Sequence, residues 1–163
     1  MASVLEFRLT GGASNSDPDS SLGGTTSSNE VSATAMNNLF DNVTPTEASS
    51  GDNEYRAIDI WNSGDATAEN VNVYMSTETS SSDSQLKFYN DGSTHDGTDQ
   101  GDTIADESTP PDGSSFSHYT SGSKLSLPNI PAGNGTRLWI KRIISASASN
   151  TPSDQGTITV EYA

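Results

Sequence analysis

An all-β fold, a single antiparallel β-sandwich with long polar loops and an extended N-terminal arm, is what this sequence predicts, and three observations lead to it. Apolar and polar residues alternate with period two in several short runs, the pattern of strands. In 54–61, Tyr55, Ala57, Asp59 and Trp61 fall on one side and Glu54, Arg56, Ile58 and Ile60 on the other. Clusters of Ser, Thr, Asn, Asp and Gly separate the runs, as turns and loops require. No long stretch carries helical periodicity. Hydrophobic residues make up only 30% of the 163, below the roughly 45–50% of ordinary domains even allowing for Gly in that range. They are gathered into the alternating runs, which favours a thin sandwich over a disordered chain.

In chain order, Ser3–Thr10 places Leu5, Phe7 and Leu9 on one face and reads as a first strand. Residues 11–29 are polar, with two Gly-Gly pairs and only Leu22 to bury, so they are expected as a loop laid over the sandwich or as an arm ordered against a partner. This divides the single domain into a strand and arm over 1–30 and a sandwich over 31–163. Residues 38–43 are expected to bring Leu39, Phe40 and Val43 into the core as a strand or single turn. Residues 44–53 read as a linker. The run 54–61 and the run 70–76, with Val71, Val73 and Met75 on one face, are joined by the turn formers of 62–67 and read as a central hairpin. A short strand over 85–89 points Leu86 and Phe88 inward. A second polar tract, 90–117, offers Ile104 and Ala105 for burial. Leu125 and Leu127 alternate within 123–130. Leu138, Ile140 and Arg142 stand opposite Trp139, Lys141 and Ile143 within 136–145, and Ile158 and Val160 share a face near the end. Seven or eight short strands with regular turn signals fit a sandwich or jelly roll.

The charge narrows function. Seven Lys and Arg against 22 Asp and Glu give a net −15. Nucleic-acid binding needs cations against phosphate, and an anionic membrane surface repels such a chain. The same charge keeps copies soluble and apart. There is no cysteine, hence no disulfide framework. No leader-like segment or bilayer-length apolar run is present, so synthesis and assembly in the cytoplasm are expected.

No catalytic constellation emerges. The stretch Asp96–Glu107 sets Gly101 and Glu107 at the sixth and twelfth positions of an EF-hand-like frame. Thr98 and Gln100 fill the third and fifth ligand places, so it reads as a solvated acidic loop. His95 and His118 lack zinc-site spacing and read as exposed. No nucleophile elbow, P-loop or dinucleotide fingerprint occurs. No catalytic residue, cofactor or metal is therefore expected. Trp61 and Trp139 are candidate aromatic contacts for a glycan, with burial in or near the core as the favoured reading.

The phrases SNSDPDSSLGG, NNLFDNVTPTEASSGDNEYRAIDIWNSGDATAENVNVYMS, IADESTPPDGSSF and LSLPNIPAGNGTRLWIKRIISASASN together resemble small virion structural proteins of tailed bacteriophages, above all the capsid decoration (cement) type. The Asn-x-Gly turn before a Val-x-Val strand, and the PAG-x-G turn before another, also look like Ig-like and CARDB-like sandwich modules. The resemblance implies a non-enzymatic protein on the virion exterior, bound to the major capsid protein and often trimeric. A tail or head-fibre component is the nearest alternative, and a carbohydrate-binding or adhesive module is a third. The expected assembly surface is the N-terminal region, with Val4, Phe7, Arg8 and Leu22, its strand adding to a neighbour's sheet edge. Removing residues 1–29 is then expected to leave a folded domain that no longer binds.

Overall fold

The computed structural model describes residues 2–81, 83–98 and 102–163. Among them, seven strands form two antiparallel sheets: β1 (Leu5–Leu9), β2 (Asp52–Asn62), β3 (Asn72–Glu78), β4 (Ser84–Tyr89), β5 (Leu125–Ser126), β6 (Gly135–Ile144) and β7 (Gly156–Glu161). One sheet has the order β1-β2-β6-β4 and the other β5-β3-β7. This is the sandwich that the alternation predicts.

The sandwich interior is filled from both sheets. Ile58 and Ile60 of β2, Leu138 and Ile140 of β6 and Phe88 of β4 meet Val73 and Met75 of β3 and Val71 just before it. These rows of apolar side chains exclude water between the layers, the main favourable term in folding. Strands β2 and β3 do not form the expected hairpin. They lie in different sheets, because their apolar rows face each other across the interior and do not sit side by side. Asn62 holds the corner between them. It is fully buried, and its side-chain amide donates to the carbonyls of Ala66 and Ile130 at 2.7 and 2.8 Å.

A second, smaller core lies on the opposite face of the larger sheet. Tyr55 and Ala57 of β2 and Trp139 of β6 pack there with Ile104, and Leu22, Tyr89 and Phe116 close around them. Both polar tracts contribute to this cover, so residues 54–60 of β2 are all buried where a half-buried strand was expected. Of the two expectations for residues 11–29, the structure shows the loop laid over the sandwich. It orders through hydrogen bonds more than apolar burial. Thr10 and Ser21 are buried, and both hydroxyls donate to the Ala57 carbonyl, at 3.1 and 2.6 Å.

The loops also occupy strand edges. Residues 27–31 run along the outer side of β1, with Ser27 and Val31 donating to the carbonyls of Leu9 and Phe7. Where β1 ends, Ser21 and Glu107 accept from the amides of Ala57 and Tyr55. Addition of β1 to a neighbour's sheet would have to displace the first of these segments. Loss of residues 1–29 would remove a core strand and the buried Thr10–Ser21 contacts, so the expected folded truncation does not follow from this structure.

Two local expectations are corrected. Residues 31–43 form neither a strand nor a helix; Leu39 is buried and Phe40 partly so, but Val43 is exposed. The supposed linker instead contains α1 (Pro45–Ser50). Thr44 and Glu47 make a reciprocal capping box, and Pro45 supplies the fixed φ of a first helical turn.

Candidate functional site

The chemistry in this chain is concentrated in two ionic clusters built on β2 and β6. The antiparallel register places Asp59 opposite Arg137 and Glu54 opposite Arg142. The two pairs emerge on opposite faces of the sheet.

Asp59 lies on the loop-covered face and is fully buried. Arg137 reaches it through Nε at 2.6 Å and a terminal nitrogen at 3.1 Å, while the Thr26 hydroxyl donates to Oδ2 at 2.6 Å. The same arginine donates to the Gly24 carbonyl, tying the N-terminal loop to the sheet. His95 Nε2 is 3.4 Å from Asp59 Oδ1 but outside hydrogen-bonding geometry. The Gly97 amide donates to His95 Nδ1, which leaves the proton of a neutral ring on Nε2, facing the carboxylate. Burial pushes the Asp59 carboxyl upward, but His95 and Arg137 beside it outweigh that and hold it below its usual range. The histidine is thus packed against the sheet, where the sequence suggested solvent.

Glu54 lies on the interior face at the other end of β2, also fully buried. Arg142 Nε pairs with its carboxylate, and the same guanidinium donates to the carbonyl and carboxylate of Asp41. Arg56 is almost completely buried and pairs with Glu107 at 2.5 Å and Asp19 at 3.2 Å. The Phe40 ring lies near both guanidiniums, 5.3 Å from Arg56 and 4.8 Å from Arg142. Burial is the largest influence on Glu54 and pushes its carboxyl upward; Arg142 opposes this, and the Glu107 and Asp41 carboxylates add to it.

Asp41, Glu54 and Glu107 lie close enough to share a cation. Arg142 and Arg56 already neutralise these carboxylates, so the arrangement is an ion-pair network. A neighbouring group, Glu47, Asp52 and Glu54, is similarly close, but Glu47 accepts the Thr44 amide in the helix cap at 2.6 Å. A cleft of about 460 Å3 beside them includes Ser50, Asp52, Tyr55 and Ser108 in its lining. Its lining has no histidine to activate a hydroxyl. The EF-hand-like frame includes Gln100 and Gly101, which lie outside the described residues; Asp96 bonds to Thr98 of its own turn. His118 pairs with Glu78 at 2.7 Å at the margin of the smaller sheet.

The structure does not gather Val4, Phe7, Arg8 and Leu22 into one surface. Val4 is 47% exposed. Phe7 packs against the sandwich interior, and Leu22 against the outer core. Arg8 pairs with Glu6 at 2.8 Å and stacks over Trp61 at 5.0 Å. Trp139 is only 4% exposed and belongs to the outer core, which removes it as a stacking platform. Trp61 is partly exposed, flanked by Arg8 and by the tilted His95 ring. Gly97 and Gly135 lie against its ring, where a Cβ would come within 3.1 and 2.9 Å. Sequence reasoning passed over Asp59, Glu54, Arg137 and Arg142 as a set. The available signal was opposite charges placed inside two strongly apolar strands, since buried charges occur as partners.

Comparison with known proteins finds no matching family model, no matching curated protein and no matching solved structure.

Proposed function

We propose that this protein is a structural component of a tailed-phage virion that decorates the outer surface of the capsid, binding the major capsid protein as a homotrimer, without enzymatic activity. The observation that carries this reading is the uneven placement of charge. Three of the seven cationic side chains, Arg56, Arg137 and Arg142, are buried, against two of the 22 acidic ones, Glu54 and Asp59, among the described residues. Of the remaining cations, Arg8 and Lys124 are tied to Glu6 and Glu161. The exterior is therefore even more one-signed than the composition implies. Such a surface keeps particles carrying many copies from adhering to one another. The resemblance of the turn and strand phrases to decoration proteins points the same way, and a loop-covered sandwich suits a particle's outer face.

A protein inventory of purified particles by mass spectrometry, with a reconstruction of the head, tests the assignment. The expected result is one copy for every one or few capsid subunits, located outside the shell. Absence from particles overturns it, and location on the tail replaces it with the fibre reading. Val4 is the exposed member of the expected assembly surface. Val4→Asp is expected to weaken capsid co-sedimentation by about tenfold or more while leaving thermal unfolding unchanged; undiminished binding would place the contact elsewhere.

A further inference from the structure

Strand edges divide this molecule unequally. The outer side of β1 is taken by residues 27–31, the uncovered end of β2 by Ser21 and Glu107, and β4 exchanges backbone bonds with Ser117 at Phe88. Strand β5 is two residues long. Strand β7 differs. It is six residues long, ends its sheet, and has no pairing on its outer side among the described residues.

The register shows which groups are open. The Met75 amide donates to Tyr119 on the β5 side, so in the Met75–Ile158 pair the backbone groups of Ile158 point away from β3. Period two gives Val160 the same orientation. Both side chains reach the interior but stay only partly buried. The segment GTITVE is rich in β-branched residues and has neither Pro nor Lys, the usual means of blunting an edge.

We propose that β7 is a docking edge for an extended strand of another protein, one that alternates β-branched residues with Lys or Arg. Backbone bonds to Ile158 and Val160 would provide the pairing, and the strand's apolar side would complete the half-covered end of the interior. Charge selects the occupant. Pairing with a second copy at this edge would set two chains of net −15 against each other, whereas a cationic strand meets a predominantly acidic exterior. The edge is open whichever particle the protein belongs to.

The test uses the full chain and a short peptide alternating Val and Lys, with a control of equal charge in which Pro replaces two of the Val. Amide exchange is read residue by residue by NMR. In the free protein, the Ile158 and Val160 amides are expected to exchange rapidly. The Val/Lys peptide is expected to slow them by about tenfold or more, and the Pro-containing control to leave them unchanged. Equal effects of the two peptides, protection located elsewhere, or none would each overturn the proposal. Sedimentation showing a dimer with these amides already protected would assign the edge to a second copy and overturn it too.

Discussion

Strand β2 holds two buried carboxylates that face arginines of β6, yet burial governs one and is overruled at the other. Asp59 receives two nitrogens of Arg137 and the Thr26 hydroxyl, with His95 alongside, and its carboxyl is held low. Among the described residues, Glu54 has Arg142 alone, shares it with Asp41, and faces two neighbouring carboxylates; its carboxyl is pushed up. An opposite charge across the ladder is therefore not enough to secure a buried ion. What decides is how many donors converge on it and how many like charges stand nearby.

The sharpest way to break the comparison is to neutralise each carboxylate in turn. Asp59→Asn removes the carboxylate that Arg137 grips through two nitrogens and weakens the attachment of the loop carrying Thr26. A loss of about 3–5 kcal/mol in urea unfolding at neutral pH is expected. A loss below about 1 kcal/mol would mean that solvent reaches the site and that the pair is not buried in solution. Glu54→Gln is expected to cost only about 1 kcal/mol, since Arg142 keeps Asp41 and the native carboxylate is already disfavoured. Equal losses for the two variants would erase the distinction.

Their pH dependence runs in opposite senses. Asp59 has its folded value below the ordinary 3.8, so its contribution is present above 3.8 and drains as pH falls through the folded value. Glu54 has its folded value above the ordinary 4.5, so its contribution is full below 4.5 and drains as pH rises through the folded value. Unfolding measured from about pH 3 to about pH 7 should show Asp59→Asn losing part of the acid-side decline of the wild type. Over the same range, Glu54→Gln should gain on the wild type as pH rises. Parallel profiles for the two variants would contradict the assignment.

The same contrast explains what was legible beforehand. The rows Ile58–Ile60 and Leu138–Ile140 announced strands because alternation reports a buried face directly. The cover over Ala57 and Trp139 was announced only as one of two alternatives for residues 11–29 and by Leu22 and Ile104, because Thr10, Ser21 and Thr26 are buried by hydrogen bonding, and composition reads such residues as solvated. The turn formers of 62–67 mark a reversal equally well for a hairpin or for a passage between sheets; the fully buried Asn62 decides, and only through contacts with Ala66 and Ile130. The capping box at Thr44 and Glu47 was written in the sequence but hidden by its Pro and Ser neighbours. Of the ionic clusters, only the alternation that sets Arg56 on the face opposite Asp59 was visible, since pairing across β2 and β6 depends on register.

The smallest expected effect separates the two clusters by their aromatic cover. At the Glu54 end, the Phe40 ring lies by two guanidiniums, each within cation–π reach. At the Asp59 end, Trp61 has Arg8, which Glu6 already neutralises near the surface. Phe40→Leu keeps most of the apolar volume and removes the π face. In a double-mutant cycle with Arg142→Met, a coupling of about 0.5–1 kcal/mol is expected between Phe40 and Arg142. The corresponding cycle of Trp61→Leu with Arg8→Met should give less, because a partly solvated cation already paired with Glu6 gains little from a ring. Zero coupling at Phe40 would mean that the ring merely fills space at the edge of the interior. The Asp41–Arg142 contact would then hold this end of residues 31–43 more than the ring does, and Asp41→Asn should loosen the segment more than Phe40→Leu.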